Sequence, residues 1–151
     1  MRPLSLIGAF ILGACVPLCL QGFAKSSSPS APAATVVPLD KATHKTTPSG
    51  KAQIQILAEG NNAFVGRLRL AGGGAVPEHR DATEEFIHVL TGGGTITIDD
   101  KKHDIGPGTT VYMPANAKVS YQNGPDEIVA IQVFAGPAPA AKYDGWKPVS
   151  P

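Results

Sequence analysis

The residues best equipped for chemistry fall in one short stretch, Pro77-Glu78-His79-Arg80-Asp81-Ala82-Thr83-Glu84-Glu85. In an extended segment residues two apart share a face, so His79 and Asp81 point the same way. One imidazole and carboxylates suit a divalent ion of the manganese, iron or zinc type. Asp81 and Glu85 are also residue types that move protons. The same side chains can instead satisfy one another, with His79 hydrogen-bonded to Asp81 or Glu85 in a buried polar network that holds no metal. His88 lies three residues beyond Glu85 and, on a strand, faces away from it, which marks a packing or interface residue. His103 follows a turn and is expected to be exposed.

Other chemistries are poorly supplied. Cys15 and Cys19 are the only cysteines and both lie in the apolar N-terminal run. A chain processed beyond them has neither a thiolate zinc site nor a cysteine nucleophile. Gly72-Gly73-Gly74 and Gly92-Gly93-Gly94 are not followed by Lys-Ser/Thr and open no helix, so neither is a phosphate loop. No Gly-x-Ser-x-Gly elbow is present, which argues against a serine hydrolase. Acidic and basic residues nearly cancel, 12 against 13, so the basic footprint of a nucleic-acid binder is missing.

The elements that must position these residues are strands. Beyond Gly50 the apolar period is two: Ala52, Ile54, Ile56 and Ala58 alternate with Gln53, Gln55 and Leu57, and Ile96 and Ile98 alternate with Thr95, Thr97 and Asp99. Turn chemistry recurs at Glu59-Gly60-Asn61-Asn62, Ala71 to Gly74, Gly92 to Gly94, Asp99 to Lys102, Gly106-Pro107-Gly108 and Asn123-Gly124-Pro125. The segment from Glu127 to Phe134 is apolar on both faces apart from Gln132 and should be covered on both sides. Many short strands at regular spacing predict an all-β sandwich or barrel, and the length between the two ends suffices for one such core.

Two segments sharpen this picture, residues 77 to 92 and Gly106-Pro107-Gly108-Thr109-Thr110-Val111-Tyr112-Met113-Pro114-Ala115-Asn116. They resemble the paired motifs of the cupin superfamily. His79, Asp81, Glu85 and Gly92 fall on the spacing of the first motif, with Asp81 where the family has a second histidine. Gly108, Pro114, Asn116, Val119 and Asn123 fall on the second, with Asn116 in place of the turn glycine and Val119 in place of the last ligand histidine. The resemblance spans roughly residues 50 to 136. It implies a single-domain jelly-roll β-barrel, a homodimer, and a metal site of His79, Asp81 and Glu85 facing into the barrel, short of its usual fourth ligand. It also places position 119 inside, so Val119, Tyr121 and Asn123, alternating on one strand, would line a ligand pocket; the facing of Tyr112 is open.

The ends read differently. Arg2, the apolar run from Leu4 to Leu20, and Gly22-Phe23-Ala24 predict a secretory segment over 1–24, with export to the periplasm or beyond. Leu12-Gly13-Ala14-Cys15 resembles a lipobox, which would instead attach the chain to a membrane through Cys15. Residues 25–49, rich in Ser, Pro, Ala and Thr, are expected to form a flexible linker, in which Thr35 to Leu39 is the candidate edge strand. His44 falls in this linker and carries no reading. The Pro-rich tail over 137–151 holds Tyr143 and the single tryptophan, Trp146, expected to pack on the barrel exterior as a clasp, with a role in ligand binding or a dimer contact as the alternative.

Two function classes follow. One is an exported binding module for a small molecule, with or without a divalent metal. The other is a metal-dependent enzyme of the kinds the resemblance brings with it, a dioxygenase, isomerase or lyase. Fold does not decide between them.

Overall fold

The computed structural model describes residues 33–149. The secretory segment over 1–24, the Cys15 lipobox and the first part of the linker lie outside these residues.

Eleven strands form two antiparallel sheets among the described residues. In chain order they are β1 (Thr43–Thr46), β2 (Ala52–Glu59), β3 (Phe64–Leu70), β4 (Ala75–His79), β5 (Glu85–Thr91), β6 (Gly94–Ile98), β7 (Lys101–Ile105), β8 (Thr110–Met113), β9 (Val119–Asn123), β10 (Ile128–Phe134) and β11 (Lys147–Pro148). One sheet has the order β11-β1-β2-β3-β10-β5-β8, and the other β4-β9-β6-β7. The alternation in sequence therefore builds a jelly roll, whose inner faces bury one side of each strand.

Local sequence explains the turns and the close approaches. Asp99 and Asp100 have φ of 44° and 68°, the paired left-handed geometry that matches a two-residue hairpin to the twist of β6 and β7. Asn116 has φ of 63°, so the asparagine that replaces the expected turn glycine serves because its short polar side chain tolerates that region. On β3, a Cβ at Gly66 would stand 2.7 Å from Ile54 Cδ1 and 2.9 Å from Phe64 Cε1. Glycine there lets Phe64 lie flat against the barrel wall.

The core has two parts. Leu70, Val89, Ile96, Ile105, Val111, Met113, Val119 and Ile128 come from both sheets and fill the space between them. Ile54, Phe64, Phe134, Ala140 and Tyr143 form a second cluster against which Trp146 packs. β10 lies between β3 and β5, covered as its two-sided apolar pattern requires, and its polar Gln132 is nonetheless buried.

Three sequence expectations need correction. Thr43–Thr46, composed like the rest of the linker, pairs with both β2 and β11. The edge strand forms there and not at Thr35 to Leu39, where the chain is irregular before a 3₁₀ turn at Leu39–Lys41. Backbone hydrogen bonding to the Gln53–Ile56 edge holds β1, and composition does not report that. The tail, finally, is no exterior clasp: a 3₁₀ turn over Ala138–Tyr143 delivers Tyr143 into the core, 3% exposed, with its ring 5.8 Å from Phe64 and 4.9 Å from Trp146. Burying those two aromatic rings offsets the entropy of ordering a Pro-rich segment.

Candidate functional site

His79 ends β4, Asp81 sits in the loop that follows, and Glu85 opens β5. One ligand-type atom from each of the three lies within 4.8 Å of the others. The loop is fixed by a backbone bond from Asn116 N to Asp81 O of 2.7 Å and by the Arg80 guanidinium on Asn116 O. The two motif segments thus hold each other, and the left-handed Asn116 is part of that clamp.

The geometry of each group suits coordination. His79 Nδ1 lies 2.9 Å from Pro77 O; a carbonyl only accepts, so Nδ1 carries the hydrogen. In the neutral ring Nε2 then presents its lone pair, 3.8 Å from Asp81 Oδ2. Glu85 is buried, and its Oε1 accepts from Gln132 Nε2 at 2.6 Å. Gln132 Oε1 in turn accepts from the Tyr143 hydroxyl, so β10 and the C-terminal turn orient this carboxyl. Burial pushes Glu85 above the ordinary carboxyl range, opposed by the Gln132 amide and the Lys142 ammonium. Donors about 2.1 Å from a common ion stand at most about 4.2 Å apart, so a spread of 4.8 Å closes with small side-chain rotations. One nitrogen and two carboxylates, with a cavity beside them, therefore fit a divalent cation.

That cavity measures about 290 Å³. Its body is apolar, walled by Leu70, Ile87, Ile96, Met113, Val119 and Ile128. His79, Glu85, Gln132, Lys142 and Tyr143 supply most of its polar lining, with Trp146 beside Tyr143, while Thr47 and Tyr121 line it elsewhere.

Of the residues expected to line the pocket, Val119 and Tyr121 do so. Val119 pairs directly with His79 across β4 and β9, so an apolar side chain occupies the wall where the resemblance calls for a fourth ligand. Burial pushes the Tyr121 phenol up to about 12, and its hydroxyl donates to Asn123 Oδ1 at 3.0 Å. Asn123 is not on the cavity wall. Its Nδ2 lies 2.9 to 3.0 Å from the carbonyls of Leu70, Ala71 and Asp126, which makes it the buried tie between β9 and two loops. Strand alternation set its side chain inward, but these loops close over it before it reaches the cavity.

Tyr112 is exposed and donates to Glu84 Oε1, turned away from the site. His88 is also exposed, its Nδ1 2.8 Å from Thr110 Oγ1, on the opposite face of β5 from Glu85. Two residues at the site escaped the sequence reading, Gln132 and Lys142, while Tyr143 and Trp146, given a ligand-binding role only as the alternative to a clasp, line the cavity. Gln132 carried a usable signal, a lone amide in an apolar strand destined for burial on both faces. Lys142 carried none, since it follows a run of prolines and alanines.

Residues 66–134 match the family model described as a cupin domain. Dimethylsulfoniopropionate lyase DddW of Ruegeria pomeroyi is 31% identical over 104 residues, 66% of this chain and 67% of the relative. Among solved structures, KdgF from Halomonas sp. superposes with a TM-score of 0.61 at 13% identity, covering 68% of this chain and 94% of that one. An RmlC-like cupin from Shewanella frigidimarina does so with a TM-score of 0.62 at 14% identity, covering 68% and 92%. Those two likenesses concern the fold. The relative's identity and coverage, together with the domain match over both motifs, make this chain a member of the cupin family.

Proposed function

We propose that this protein binds a small, largely apolar organic molecule in its barrel, with a divalent metal of the manganese, iron or zinc type held by His79, Asp81 and Glu85. The convergence of these three side chains, of which His79 and Glu85 line an apolar cavity of about 290 Å³ and Asp81 stands just outside its wall, carries the reading. A bound ion would act there as a Lewis acid toward an oxygen of the ligand. The chain's own part is to orient and exclude. Pro77 O fixes the His79 ring, Gln132 fixes the Glu85 carboxyl, and the apolar walls keep water from the hydrocarbon part of the ligand.

Metal-stripped protein titrated with Mn²⁺, Fe²⁺ or Zn²⁺ is expected to take up one equivalent. It should melt at a higher temperature when loaded, because an ion present at about 100 times its dissociation constant adds about 2.7 kcal/mol to stability. Absence of both uptake and shift for all three ions would remove the metal from the account.

A metal-dependent lyase is the second reading, favoured by the match to DddW. Under it, metal-loaded protein mixed with dimethylsulfoniopropionate cleaves the compound at a rate proportional to protein, followed by proton NMR; no cleavage with any of the three ions rejects that substrate. The N-terminal run supports a third element of the proposal, export to the periplasm or beyond. Protein recovered from its host should then begin at Lys25, whereas an acylated Cys15 would establish membrane anchoring and an unprocessed chain would refute export.

A further inference from the structure

Lys142 reaches the carboxylates from the C-terminal turn, 61 residues along the chain from Asp81. Its Nζ lies 2.9 Å from Asp81 Oδ2 and 3.2 Å from Oδ1, spanning both oxygens. It also stands 4.7 Å from the centroid of the Phe134 ring, a cation–π distance. The ammonium thus already has the surroundings of a bound cation: a bidentate carboxylate, an aromatic face and the buried Glu85 carboxyl nearby. Its backbone is pinned. Neighbouring Tyr143 is buried against Phe64 and bonded to Gln132, and Lys45 Nζ donates to Tyr143 O at 3.1 Å.

We infer that Lys142 sets the metal affinity of the site by serving as its internal competing cation. The inference rests on the metal reading of His79, Asp81 and Glu85 given above. Asp81 Oδ2 is the oxygen that faces His79 Nε2, and it is also the oxygen closest to Lys142. A dication on that oxygen and an ammonium on the same oxygen repel each other at short range. Metal entry therefore displaces the ammonium, and the anchored backbone leaves only the flexible four-carbon stem to swing away. A built-in cation of this kind keeps the two carboxylates compensated without metal, and it makes the site selective for ions that bind strongly enough to evict it. Val119, which supplies no fourth ligand, weakens the metal side of the same competition.

The test is calorimetric titration of the full-length protein with Mn²⁺. Lys142→Met keeps the length of the stem and removes the charge, so its affinity should exceed wild type by about tenfold or more, the ratio that corresponds to about 1.4 kcal/mol. Lys142→Arg, which keeps a cation, should stay well below Lys142→Met in affinity. Lys101→Met, on the β6–β7 hairpin, makes the same change in net charge and should leave affinity at the wild-type value. Lys142→Gln repeats the measurement if the methionine variant fails to fold. Equal affinity for wild type and both neutral variants would overturn the competition while leaving the metal site standing. No binding by wild type or variants would overturn both.

Discussion

Replacing His79 with alanine or Glu85 with glutamine will abolish stoichiometric binding of divalent metal while the barrel stays folded. His79→Ala removes one donor of three, and the wall position paired with it is the apolar Val119; Glu85→Gln exchanges a carboxylate for a neutral amide whose single oxygen is engaged by the Gln132 amide. Loss of a supporting partner around a metal typically costs 10- to 100-fold in affinity, so loss of a direct ligand should exceed about 100-fold. The fold should tolerate both changes. His79 is partly exposed at a strand end, and glutamine at 85 keeps the volume of glutamate and an oxygen for the Gln132 amide. Calorimetric titration together with thermal melting checks this: unchanged affinity in either variant would show that the metal, if bound, sits elsewhere.

The largest stability effect is expected at Phe134. Its side chain is fully buried, its ring lies 5.8 Å from that of Phe64, and the Lys142 ammonium covers one face. Phe134→Ala should cost about 3–5 kcal/mol, the transfer term of the lost ring plus the cavity it leaves. Against a typical total of about 5–15 kcal/mol this brings the protein near its folding limit. Urea unfolding followed through the single Trp146, which packs on the same cluster, measures it directly. Phe134→Leu, refilling much of the volume, should lose clearly less. A loss under about 1 kcal/mol for the alanine variant would contradict the second core cluster as described.

Sequence and structure agree where the physics is local. Alternation at Ile54, Ile96 and Ile98 located strands, and the turn residues marked their ends, because pleat and left-handed φ act over a few residues. The convergence of His79, Asp81 and Glu85 was legible for a different reason: resemblance to a paired motif carries three-dimensional information that periodicity alone lacks. What stayed hidden depends on contacts distant in sequence. Tyr143 and Lys142 enter the site from a Pro/Ala-rich turn whose composition resembles a linker, and their burial is decided by Phe64, Phe134 and Gln132. Thr43–Thr46 became a strand because the edge of β2 was available to it. Asn123 shows the limit of alternation, which gives the face of a strand but not whether neighbouring loops close over its end.

The central claim is that His79, Asp81 and Glu85 together hold one divalent ion beside the cavity. Anomalous diffraction from crystals of the protein grown with Mn²⁺ tests it most directly. The account predicts one strong anomalous peak with a nitrogen of His79 and carboxylate oxygens of Asp81 and Glu85 each about 2.0–2.3 Å away. A barrel without a peak at these three side chains, or with the ion bound only at other residues, would contradict it.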